Sequence, residues 1–127
     1  MSENEIARVI VDAAFKIHKT LGPGLLESVY QATLSYELQT RGLQVLQQVP
    51  LPVEYEGVKL EIGFRVDLIV NSKVIIEIKS VEAVATVHKM QLLTYLRLMD
   101  LRLGLLINFN VGLMKDGIQR VVNRLCE

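Results

Sequence analysis

Near the start of the chain, apolar residues recur at helical spacing: Ile6, Val9, Ile10, Ala13, Ala14, Ile17 and Leu21. The pattern predicts one amphipathic helix over residues 3 to 20. "LGPGLLE" closes it, because Gly22 suits a helix C-terminus and Pro23 is tolerated in the first turn of a following helix. The second helix is expected from about Leu25 to Thr40, with Gly42 after its end. From Leu43 the period changes to that of strands. "LQVLQQVPLPVEYEGVKLEIGFRVDLIV" is rich in β-branched residues and carries a hairpin signal at Glu56-Gly57. Pro50 and Pro52, which lack an N–H to donate, place the first of these strands at a sheet edge. "VDLIVNSKVIIEIKS" supplies a second hairpin, with Asn71, Ser72 and Lys73 as its loop.

"VHKMQLLTYLRLMD" returns to helical spacing, and "LRLGLLINFN" reads as a buried strand. "MKDGIQRVVNRL" offers a turn at Asp116-Gly117 and then a short strand or a helix. The order is helix, helix, three strands, helix, strand. The last strand–helix–strand unit predicts a right-handed crossover between parallel strands, whereas the meander before it is antiparallel. The expected fold is α/β, or α+β by some conventions, with a mixed central sheet flanked by helices.

Length and composition narrow this picture. At 127 residues, half of them hydrophobic and 22% charged, the chain predicts a single globular domain over 1–127. Acidic and basic residues balance at 14 each, which argues against a strongly basic coat but not against a local basic groove. The lone Cys126 allows neither an internal disulfide nor a Cys/His metal cluster. "MSENEIARV" lacks the profile of a signal peptide, and no apolar run approaches the roughly 20 residues that cross a bilayer. A cytoplasmic protein without a membrane partner is expected.

The second hairpin holds the chemistry. Asp67, Glu77 and Lys79 sit inside apolar strands, where ionised groups are costly without partners. A three-residue loop pairs Val70 with Val74 and sets Asp67 opposite Glu77, with Lys79 further along the same face. A two-residue loop shifts the register and separates the carboxylates. Side by side, two carboxylates repel unless a proton or cation intervenes, and Mg²⁺ suits such an oxygen site. An ammonium beside them is suited to activating water or stabilising phosphate charge. The plainer alternative is a solvated strand whose charges pair across the hairpin. Elsewhere, Glu27 and Tyr30 share a helix face, as do Gln91 and Tyr95, while His18 and His88 are lone helical histidines.

Together these residues resemble the PD-(D/E)XK nuclease superfamily, and within it the small group named for a Gly-x-x-Glu-x-x-Tyr signature (GxxExxY). The resemblance is carried by Gly24 to Tyr30 ("GLLESVY"), Asp67, Glu77-Ile78-Lys79 and Gln91 to Tyr95 ("QLLTY"), and it spans about Ile6 to Arg124. The Gln-x-x-x-Tyr helix is similar to the RecB-type exonuclease branch. The proline of the superfamily name is absent, with Val66 before Asp67. The resemblance implies a restriction-endonuclease-like core and a Mg²⁺- or Mn²⁺-dependent deoxyribonuclease acting in repair, recombination or defence. It implies that Asp67, Glu77 and the Ile78 backbone carbonyl hold the metal, with Glu27 as a further carboxylate and His18 as a candidate ligand. Lys79 would act on the attacking water, and Gln91, Tyr95 and Tyr30 would meet the nucleic acid, most simply DNA. The alternatives are a non-catalytic module binding nucleic acid or a protein, and a junction resolvase. A homodimer or an unidentified protein partner is a further expectation.

Overall fold

The computed structural model describes residues 1–126, the side chains of Glu61 and Ile62 excepted. Helix α1 (Glu3–Leu21) starts at Ser2, whose hydroxyl accepts from the Glu5 amide while the Glu5 carboxylate accepts from the Ser2 amide. This reciprocal cap satisfies two N–H groups that have no partner within the helix. The helix ends at Gly22, which adopts φ +75° and returns its N–H to the His18 carbonyl. Its buried stripe is Ile6, Ala7, Ile10, Ala13, Ala14 and Ile17. Helix α2 (Glu27–Thr40) begins two residues later than the pattern suggests. Leu26 is the extended residue before it, and the Leu25 amide is bonded to the Tyr30 hydroxyl instead of entering a helical ladder.

Strands β1 (Val45–Tyr55), β2 (Val58–Val70) and β3 (Val74–Lys79) form the antiparallel meander. Glu56 and Gly57, both at positive φ, make the first turn, and Val70 pairs with Val74 across the three-residue loop. Helix α3 (Thr86–Met99) then leads to β4 (Leu103–Asn108), which lies parallel to β3. After a 3-10 turn at Met114–Gly117, the open alternative resolves to a strand, β5 (Ile118–Val122), antiparallel to β4. The sheet order is β1-β2-β3-β4-β5, so the proline-bearing β1 is an edge as expected.

The sheet separates two cores. On one face α1 and α2 pack Ile10, Ile17, Leu34 and Leu38 over Leu68, Val70, Ile76 and Ile78. On the other, α3 packs Leu92 and Leu96 over Ile69, Ile75 and Leu106. β3 and β4 are covered on both sides and are correspondingly apolar throughout, Glu77, Lys79 and Asn108 excepted. Among the described residues, no helix is long and apolar enough to cross a membrane.

Candidate active site

The sheet opens at Asp67. Pairing between β2 and β3 runs from Val70↔Val74 to Leu68↔Ile76, and the next position sets Asp67 against Glu77. There the ladder gives way to side chains. The Ile78 amide donates to Asp67 Oδ2 (2.8 Å), and the Asp67 amide points at Glu77 Oε1 (3.4 Å). The other flank of β2 is broken at the same point. β1 pairs Gln47 with Leu68 and Val49 with Val66, but Gln48 between them has φ +49°. Val66 faces the α3 core and Leu68 the α1–α2 core, although strict alternation would put both on one face. Asp67 sits at that switch, with Gln48 donating to its Oδ1 at 3.3 Å.

Glu77 is only 9% exposed. Burial, then the negative charge of Asp67 and a hydrogen bond to its carboxylate, pushes Glu77 up to about 8. Without a cation it therefore keeps its proton at neutral pH and shares it with Asp67. Two carboxyl groups this close repel when both are ionised, so the pair calls for a proton or a cation between them. Among the described residues no three His, Cys, Asp or Glu side chains converge on one point. Lys79, two residues beyond Glu77, is near enough to act against that upward shift. Among the described residues its ammonium makes no ion pair within 4.0 Å.

Asp67 also lines a cleft of about 690 Å³, whose opposite wall is the start of α2. Glu27 faces this cleft, with its Oε2 accepting from the Ser80 amide at 3.2 Å, and Ser80 Oγ donates to the Leu25 carbonyl at 2.6 Å. The residue after the lysine is thus tied to the helix bearing Glu27. On the α3 side Tyr95 is buried and pushed up to about 12 by that burial and by the charges of Glu77 and Asp67. Its hydroxyl keeps its proton throughout the working range. Gln91, half-buried, lies one helical turn before it.

Two candidates stand elsewhere. Tyr30 is wholly buried: its ring stacks on Phe109 (4.4 Å, 5°), and its hydroxyl donates to the Gly22 carbonyl and accepts from the Leu25 amide. It shapes the loop beneath the cleft and is out of reach of a substrate. His18 Nε2 lies 2.7 Å from the Val111 carbonyl and lines a different cavity, so it is not brought to the carboxylates. Sequence reasoning missed Gln48 and Asn108. Buried Asn108 clamps the segment after Lys79, with its amide bonded to both the N–H and the carbonyl of Val81. A polar residue ending an apolar strand, "LINFN", was its only signal.

A mixed, helix-flanked sheet that parts around an acidic pair, with a lysine two residues on, has the architecture of a nuclease-type domain. Residues 4–121 match the family model described as PD-(D/E)XK nuclease superfamily, and the chain belongs to that superfamily. Among curated proteins and among solved structures, none matches it.

Proposed function

We propose that residues 1–127 form a divalent-metal-dependent deoxyribonuclease domain that hydrolyses DNA phosphodiester bonds. The observation carrying this reading is the contact between Asp67 and Glu77 at the parting of β2 and β3, with Lys79 on the same strand. Asp67, Glu77 and the Ile78 carbonyl would hold Mg²⁺ or Mn²⁺. A divalent ion, when bound, neutralises phosphate charge and makes water a better nucleophile at neutral pH. Lys79 would hold the attacking water or steady the charge that develops on the phosphate. Glu27, across the cleft, keeps the Lys79–Ser80 segment in place through the Ser80 amide. Tyr95 would lend a protonated hydroxyl to the phosphate, with Gln91 beside it.

The test is cleavage of labelled single-stranded, duplex and branched DNA with Mn²⁺. We expect wild type to cut and Lys79→Ala to lose at least about 100-fold in rate while melting at the same temperature. An active Lys79→Ala protein would remove the assigned role. Calorimetric titration should show Asp67→Asn binding Mn²⁺ at least about tenfold more weakly, because one formal charge leaves a two-carboxylate site. Unchanged affinity would place the ion elsewhere. No cutting of any substrate would turn the reading to a binding module.

A further inference from the structure

A second cavity, of about 700 Å³, lies next to the carboxylate cleft. Two chain segments form the wall between them. Asn110 lines the cleft and Gly112 the second cavity, a separation of at most about 7 Å along the chain. Likewise Lys19 lines the second cavity, while Gly24, past the end of α1, lines the cleft. The segments are pinned together by the His18–Val111 contact (2.7 Å).

The chemistry of this cavity differs from that of the surface at large. The whole chain balances 14 basic against 14 acidic residues, yet among the described residues four Lys or Arg (Lys16, Lys19, Arg41, Lys115) and one carboxylate, Asp12, line this cavity. Asp12 is taken by Arg41 at 2.6 Å, and Lys16 is held by Glu37. Lys19 and Lys115 make no ion pair within 4.0 Å among the described residues. Between these ammonium groups the lining is apolar, with Phe15 and Leu113 both exposed. Cations around an open aromatic face make a site for a nucleic-acid strand: phosphates meet the lysines and a base stacks on the ring.

We propose that this cavity continues the substrate site and takes the single-stranded end of the nucleic acid leaving the cleft. Lys19 and Lys115 meet its phosphates and Phe15 stacks under one base. The inference rests on the nuclease reading and adds the form of the substrate to it. A paired duplex does not offer a base face to Phe15, whereas a single strand offers one at every nucleotide. An acidic peptide would also satisfy the lysines, but it offers the exposed Phe15 ring no planar base to stack on. A strand passing over the Asn110–Gly112 wall occupies both hollows with one backbone.

The test is fluorescence anisotropy of a labelled 16-nucleotide oligothymidylate, in EDTA, at several salt concentrations. Lys19→Gln/Lys115→Gln should bind at least about tenfold more weakly than wild type. The slope of log K against log salt should also shrink by about 1.4, the signature of two lost phosphate contacts on a single strand. Phe15→Ala should weaken binding by about tenfold with an unchanged slope. If wild type cuts DNA with Mn²⁺ but the double variant keeps its affinity and slope, the second site is overturned and the nuclease reading stands. If wild type neither binds nor cuts any oligonucleotide, both fall. If a labelled oligoglutamate peptide loses affinity for the double variant while oligothymidylate does not, the cavity belongs to a protein partner and the proposal is overturned.

Discussion

Glu77 sets the behaviour of the site at the scale of single residues. Its folded value near 8 stands above the ordinary 4.5, because burial and the adjoining Asp67 penalise its charge. Between those values the folded chain holds a proton that the unfolded chain has released. Its contribution to stability is therefore full below about pH 4.5 and is lost as pH rises toward 8. The loss is on the order of a few kcal/mol. Glu5 and Glu37 act with the opposite sign. Hydrogen bonds from Ser2 and Lys16 lower their values, so their contributions fade only as pH falls through the acid range. Thermal melts in EDTA should thus show the wild type losing stability across this window, while Glu77→Gln, uncharged throughout, stays level. Mn²⁺ competes with the proton and should restore the wild type most at the alkaline end. Parallel melting curves for the two proteins would mean that Glu77 is not a protonated buried acid.

Among the elements, the hairpin was the most legible in sequence, and for a physical reason. A polar three-residue loop pairs Val70 with Val74, and that register sets Asp67 against Glu77, although β3 is buried on both faces and its apolar pattern alone does not exclude a slip. The switch of face at Asp67 could not be read, because it depends on Gln48 from a third strand taking φ +49°. Burial of Tyr30 was hidden for a similar reason. Its helix carries little amphipathic pattern to mark the buried side, and only the distant Phe109 and the Gly22–Leu25 loop show how its ring and hydroxyl are spent. Tyr30→Phe tests that role. The ring and its stacking remain, yet a carbonyl and an amide lose their shared partner, at a cost of about 1–2 kcal/mol. The loop also carries the Leu25 carbonyl that anchors Ser80, next to Lys79. We expect cleavage to slow several-fold while the affinity for DNA, read in EDTA, is unchanged. A selective loss of affinity would return Tyr30 to the substrate-contacting role expected from the signature.

For the molecule as a whole, the candidate site draws on both faces of the sheet: α2 brings Glu27, the sheet brings Asp67, Glu77 and Lys79, and α3 brings Tyr95. What holds α3 close is a missing side chain. A Cβ at Gly104, the second residue of β4, would meet the Leu92 side chain at 2.8–3.0 Å, so the helix rests where the sheet has no methyl. Gly104→Ala must therefore displace Leu92 or lift α3, at a cost of about 1–3 kcal/mol. That is a drop of roughly 5–15 °C in melting temperature for a chain of this size. Gly112→Ala is the control for stability, since its backbone is ordinary and nothing lies within 4 Å of its added carbon. The two faces should also respond separately. A lifted α3 withdraws Tyr95 from the carboxylates but leaves β2 and β3, which hold the acidic pair, undisturbed. Gly104→Ala should accordingly cleave more slowly at temperatures well below its melting point while binding Mn²⁺ as wild type does in calorimetry. Equal losses of both would mean that the sheet itself had given way, and normal cleavage would mean that α3 contributes packing alone.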